Sequence, residues 1–250
     1  MDPGNRDTEK LVGVRGYRVR NPAKAEERRR AILLGAARAF VRHGYEATNL
    51  EDIAAESGVT KGHIYHYFLS KEHLFTEIVA TSVEDSVREM EHIVAAGTTP
   101  EETLRNALEM HIAVVFQPLE RQANLLGYPA DLSPENHERL RQLERRYEGL
   151  FQGILEDGIA RGTFVARDPR LMTFTLLRAA GGVAAWYRPG GAWTPEFIIH
   201  EVADQLLRSV LAPHAERPEG RPRQAVPAPE NASPVAPTKA RRRRVPAGTG

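Results

Sequence analysis

Residues 49–71 constrain this chain more than any other stretch. They read Asn-Leu-Glu-Asp-Ile-Ala-Ala-Glu-Ser-Gly-Val-Thr-Lys-Gly-His-Ile-Tyr-His-Tyr-Phe-Leu-Ser-Lys. Two short helices with a tight break are written here. Asn49 suits an N-cap, and Asp52 three residues on can return the bond as a capping box does. Leu50, Ile53 and Ala54 then share a helical face. Gly58 supplies the left-handed residue that ends a helix tightly, and Thr60 can cap the second helix. Ile64 and Phe68, four apart, point that helix into a core. Gly62, His63, His66 and Tyr67 fall on the opposite face, with Thr60 and Lys61 at the exposed N-terminal end.

This is the pattern of a helix-turn-helix, whose second helix enters the major groove of DNA with its N-terminal residues leading. The outward chemistry suits that role. Gly62 lets the backbone approach a base or sugar. Lys61 and His63 can donate to base edges or phosphate, Tyr65, His66 and Tyr67 carry polar tips, and Lys71 adds a charge beyond the helix. The competing reading is an ordinary helical hairpin with a polar face. Such a face more often shows Glu and Lys pairs than a glycine, two histidines and two tyrosines.

The run Thr-Lys-Gly-x-Ile-Tyr-x-Tyr-Phe-x-Ser-Lys, from Thr60 to Lys71, resembles the signature of the TetR family of bacterial transcriptional regulators. The likeness extends upstream through Asp52, Ile53 and Ala54, through Gly44-Tyr45-Glu46-Ala47-Thr48, and to Phe40 and Ala36-Ala37. It implies an all-α protein, with an N-terminal three-helix DNA-binding domain followed by a helical ligand-binding and dimerisation domain. It also carries DNA contacts to Thr60, Lys61, Gly62, His63, Tyr65, His66, Tyr67 and Lys71. His63 and His66 stand at variable positions of the signature, so the operator sequence is open.

The charge distribution agrees with a DNA-binding role. The net charge of +1 conceals segregation. Residues 1–30 hold nine Lys/Arg against five Asp/Glu, and residues 212–250 hold eight against three. Residues 31–211 hold 17 basic against 25 acidic groups. An acidic body must place its basic groups locally, and basic tails can supply the sequence-independent electrostatic term. Residues 1–24 read as a flexible basic arm, suited to a phosphate backbone or a minor groove, or as a plain solvated leader. Residues 212–250, with eight prolines and a run of four arginines from Arg241, read as a disordered tail. There is no cysteine, hence no disulfide framework. No apolar run reaches membrane-spanning length and the N-terminus is polar, so the expectation is a cytoplasmic protein without a membrane partner.

The rest of the chain reads as helices. One spans residues 25–43, with an apolar stripe of Ile32, Leu33, Ala36, Ala37, Phe40 and Val41 and with Arg28, Arg29 and Arg30 in its basic first turn. This gives a DNA-binding domain over 25–70 and an effector-binding and dimerisation domain over 71–211. A long helix capped by Ser70 should run to about residue 96 and link the two. Further starts lie at Thr99-Pro100, Ser133-Pro134, Asp168-Pro169 and Thr194-Pro195. A short segment at 120–126 stays undecided. No sustained period-two alternation suggests a sheet.

The helix from Pro169 to about Tyr187 is apolar on nearly every side, which argues burial, and carries Arg178 in its middle. A buried guanidinium needs an anion, either a protein carboxylate such as Glu109, Glu148 or Glu156, or a ligand. The following Trp186-Tyr187-Arg188-Pro189-Gly190-Gly191 turn resembles that of TetR-type regulators responding to acyl-CoA thioesters, although Gly182 stands where some of them place an aromatic. The resemblance implies no cofactor but a CoA-thioester effector; its acyl part would lie among apolar side chains such as Leu108, Met110, Val114 and Leu176, its anionic part would meet Arg178, and Trp186 would complete the site. The alternative is a regulator of the same type answering to a hydrophobic ligand without CoA. Trp186 can instead fill a homodimer core. That dimer would be joined by helices 169–187 and 194–211, whose Trp186, Trp193, Phe197, Ile198, Val202, Leu206 and Val210 exceed what one small domain can hide. A two-fold dimer implies a palindromic operator. Catalysis and metal binding are not expected, because the nine histidines form no His-x-x-x-His pair backed by an acid. A purely architectural DNA protein would not need so large an apolar second half.

Overall fold

The computed structural model of the protein describes residues 21–118, 122 and 127–213. The basic arm, the proline-rich tail and most of 120–126 lie outside the described residues. Helix α1 (Pro22–His43) begins three residues before the sequence expectation, because Asn21 caps Lys24 N at 3.1 Å and Pro22 sits in the first turn. It ends at Gly44, whose φ of +80° favours glycine. Then follow α2 (Leu50–Ser57), α3 (Lys61–Tyr67), the long α4 (Lys71–Ala95), α5 (Pro100–Ala113) with a 3-10 turn at Val114–Phe116, and α6 (Pro134–Ala160). After these come α7 (Pro169–Gly181), the single turn α8 (Val183–Trp186) and α9 (Pro195–Arg208). The architecture is all-α. Among the described residues the one extended pairing is an isolated bridge between Phe164 and Leu211, where Val165 N–H donates to Val210 O at 2.9 Å.

The expected single helix from Pro169 to Tyr187 is interrupted. Gly181 and Gly182 weaken it, and α8 closes a separate turn through Tyr187 N–H to Val183 O.

Two buried clusters organise the chain. The first gathers Ile32, Ala36 and Phe40 of α1, Ile53 of α2, Ile64 of α3 and Phe68, and continues along α4 as far as Val87, with Leu140 of α6. At its centre Phe40, Tyr45 and Phe75 meet tilted or edge-on, with centroids 5.2–6.0 Å apart. The second holds Met90, Leu104, Leu108, Ile112, Phe151, Leu155, Leu176, Ala203 and Leu207, drawn from α4, α5, α6, α7 and α9. Tyr147 and Leu150 pack against both clusters, so α4 and α6 join the two cores.

Candidate nucleic-acid interface and effector cleft

Helix α3 is positioned by local chemistry. The capping box at α2 is complete: Asp52 N–H donates to Asn49 Oδ1, and Asn49 N–H to Asp52 Oδ2, each at 2.9 Å. Gly58 takes φ +64° and turns the chain. Thr60 then accepts His63 N–H at 3.4 Å, while its oxygen also lies 3.1 Å from His63 Nδ1. Nδ1 is thus occupied from inside, and Nε2 is the ring nitrogen left for an outside partner. The two histidine rings lie edge to face, 6.1 Å apart. Ile64 and Phe68 are buried as the spacing requires, and Gly62 and His63 are exposed.

Three of the expected contacts sit differently from a free polar face. Lys61 is exposed but pairs with Glu51 of α2 at 2.6 Å, so a phosphate there would replace a carboxylate. Tyr67 is half-buried against the first core instead of opposite it. Lys71 does not project freely beyond the helix. Its ammonium donates to Tyr45 O at 2.9 Å and Thr48 O at 3.1 Å, and lies 4.1 Å from the Tyr45 ring centroid. Lys71 therefore pins the loop after α1, and two of its three protons are spent inside the protein. Tyr65 and His66 are half-buried. Arg28 of α1 lines a small cleft with Thr60, His63 and Tyr67, which sets a cation beside the start of α3.

The α1–α2–α3 head is keyed together and clasped to the body. A Cβ on Gly35 of α1 would lie 2.1 Å from Ser57 Oγ, so these helices touch backbone to side chain. Glu56 receives Arg42 at 2.6 Å and Arg38 at 3.4 Å. On α4, Glu77 accepts from Arg29 of α1 at 2.7 Å and from Arg139 of α6 at 2.6 Å. Burial opposes its ionisation, but the Arg139 hydrogen bond and the charges of Arg139 and Arg29 hold its carboxyl below the usual range. Glu72 accepts Ser133 N–H and Asn136 Nδ2, both at 2.8 Å, fastening the start of α6 to the start of α4. Nothing in the sequence spacing signalled either clasp, because each is formed across helices far apart in the chain.

The expected effector contacts divide into three groups. Met110 and Val114 line a cleft of about 540 Å³ between α1, α4 and α5. Leu108 and Leu176 are buried inside the second core. Arg178 is exposed, which corrects the expectation of a buried guanidinium. Among the described residues the surface around it is open: Leu171 and Phe174 of α7, Trp186 of α8 and Trp193 in the following turn are between 38 and 65% exposed. Arg178 stands near enough to Glu148 for its charge to offset part of the rise that burial and Glu144 impose on that carboxyl. Trp186 is 6.4 Å from Trp193, edge on, and away from the cleft. Of the residues expected in excess on the last helix, Ile198 of α9 and Val210 just past its end are buried within the chain itself.

His111 of α5 is a half-buried group that the sequence did not mark. Its Nδ1 lies 3.0 Å from Tyr147 Oη, and its ring packs on Tyr147 and Phe151. Burial lowers its pKa to about 4, opposed by a hydrogen bond to the Leu177 backbone. It is therefore neutral near pH 7 and ties α5, α6 and α7 together.

The description "Bacterial regulatory proteins, tetR family" matches residues 32–78, and "Tetracyclin repressor-like, C-terminal domain" matches 97–210. A TetR/AcrR-family regulator from Thermobifida fusca is 32% identical; the match covers 72% of this chain and 97% of that one, at a TM-score of 0.59. The chain belongs to the TetR family. As a member it is a transcription regulator with a helix-turn-helix, not an enzyme. The HTH-type transcriptional repressor KstR2 of Rhodococcus jostii is 29% identical over 193 residues, covering 75% of this chain and 93% of that one. The structure of AibR in complex with isovaleryl coenzyme A and operator DNA matches at 25% identity and a TM-score of 0.66, covering 74% of this TetR-family chain and 98% of AibR.

Proposed function

We propose that this protein is a repressor that binds a palindromic operator as a homodimer and is released by a hydrophobic effector of the acyl-CoA class. The observation that carries the reading is α3. Its inward side chains are buried, its cap is made by Thr60, and Gly62 and His63 stand exposed beside Lys61. An exposed glycine between a lysine and a fixed histidine suits close approach to a groove and little else. The KstR2 and AibR likenesses support the repressor and CoA-thioester parts. The head is assigned to residues 25–70 and the effector and dimerisation part to 71–211.

The open face of Leu171, Phe174, Trp186 and Trp193 supports a dimer through α7, α8 and α9. Light scattering at micromolar concentration should give twice the chain mass, and a monomer there would remove the dimer. The recognition assignment is tested by selecting an operator from random duplexes and titrating it with Lys61→Ala and Tyr65→Phe. Both variants should fold and bind more weakly, and unchanged affinity in both would remove the assignment of α3.

A further inference from the structure

We infer that the cleft between α1, α4 and α5 is the effector site and that Arg30 is its anion-binding group. Its ligand would be an amphiphile with an apolar acyl body and an anionic end, held between the reading head and the rest of the molecule. The inference rests on the ligand-responsive reading above, and adds where the ligand lies and how it acts.

Three helix faces converge on the cleft. Arg30, Leu33, Leu34 and Ala37 come from α1, Ile78, Ser82, Asp85 and Glu89 from α4, and Met110, Ala113 and Val114 from α5 and its 3-10 turn. Each set repeats at three- and four-residue steps, so each is one continuous face. The volume of about 540 Å³ lies inside the roughly 300–1,000 Å³ range of small-molecule sites. The described wall is mixed: an apolar part from Leu33, Leu34, Ala37, Ile78, Met110 and Val114 lies beside polar and charged groups of α4, and Leu34 is 36% exposed.

The two ends differ in charge. The Arg29–Glu77 pair places this part of α1 beside the Ile78 end of α4, and the neighbouring Arg30 is the basic group among the described lining residues. Glu89 stands at the other end, about 16 Å along the helix at 1.5 Å per residue. Asp85, between them, is already paired with Arg88. An anionic group is therefore favoured at Arg30 and disfavoured at Glu89, which orients the ligand. Arg178 lies outside this cleft, so the anion partner moves from α7 to α1.

The wall formed by α1 gives the site its leverage. Gly35 against Ser57, and Arg38 and Arg42 on Glu56, make α1 and α2 move as one piece, and α3 follows α2 across a single turn. An occupant between α1 and α4 therefore acts on the recognition helix directly. It releases operator only if it favours the displaced head over the DNA-bound one.

Decanoyl-CoA and decanoate serve as probes, because both combine an apolar chain with an anionic end. Full-length wild type, Arg30→Met, Leu34→Trp, Ala113→Trp and Arg178→Met are each titrated with operator first. Operator release is then measured by fluorescence anisotropy, and direct binding without DNA by calorimetry. The two tryptophans fill the cleft and should abolish the response. Leu34→Trp is at an exposed position and keeps the test open if Ala113→Trp does not fold. Arg30→Met should weaken direct binding by at least about tenfold, the loss of one charge-assisted hydrogen bond, while Arg178→Met binds as wild type. Response to decanoate alone identifies a free acid as ligand, and to decanoyl-CoA alone a thioester; either supports the site. Wild-type response in the tryptophan variants, or loss in Arg178→Met but not Arg30→Met, overturns this inference and leaves the repressor reading intact. Failure of both probes to bind wild type overturns the acyl-effector reading and this site with it.

Discussion

Helices α3 and α7 are both short, and both carry a basic residue that sequence reasoning singled out. Their fates differ. Around α3 the partners lie close in sequence or on the preceding helix: Thr60 holds His63, Glu51 holds Lys61, and Asn49 and Asp52 hold each other. Around α7 they do not. The setting of Arg178 depends on Glu148 of α6 and on a surface left largely open among the described residues. Local hydrogen-bond chemistry determines the first region, while convergence of distant helices determines the second.

The sharpest test of that contrast is whether the two regions are separable. Phe75 is fully buried in the first core and Phe151 in the second. Alanine at either should cost about 3–5 kcal/mol. Because α4 and α6 join the cores, each variant should lower a single calorimetric transition. Two resolved transitions would break the molecule into independent halves.

Acid should discriminate next. His111 is neutral when folded, with a pKa of about 4, whereas an unfolded histidine takes its proton near about 6.5. Between those values the unfolded chain binds more protons, so stability falls as pH falls. From pH 7 to 5 the loss should be about 2 kcal/mol. Urea midpoints at the two pH values measure it, and His111→Gln should remove most of the difference. An unchanged pH dependence in that variant would clear His111 of the role.

Helix caps provide a smaller effect with a clean contrast. Thr60→Ala and Thr99→Ala each delete a cap bond and should each cost about 1 kcal/mol. Thr60→Ala should also release His63 and weaken operator binding beyond what stability explains. Equal operator affinity in the two variants would remove the positioning role of Thr60.

The smallest expected change in stability is at Lys61, whose pair with Glu51 is solvent-exposed. Lys61→Ala should leave the melting temperature in place. The slope of log affinity against log salt should nevertheless become shallower by about one. An unaltered slope would mean that Lys61 meets no phosphate.

The same contrast explains what was legible in the sequence. Asn49, Asp52, Gly58, Thr60 and Ser70 act within about four residues of themselves, and their roles were readable. Met110 and Val114, four apart at the end of α5 and the start of its 3-10 turn, line one cleft, but their partners on α1 cannot be read from spacing. Leu108 and Leu176 have the same apolar character and point into the core instead. Lys71 looked like a spare cation because its acceptors are backbone carbonyls, which carry no sequence signal. An apolar pattern implies burial, yet α7 keeps one side open among the described residues.

One further consequence follows from how α3 is built. Its fold rests on Thr60, Ile64 and Phe68, whereas His63 adds a side chain at an exposed position that the core does not use. Most single-base changes in the codon for His63 would therefore leave the scaffold standing while altering the outward face of the helix. Duplicated copies of such a gene can diverge in target without first losing their fold, so the regulatory circuit can be rewired faster than the protein's architecture changes.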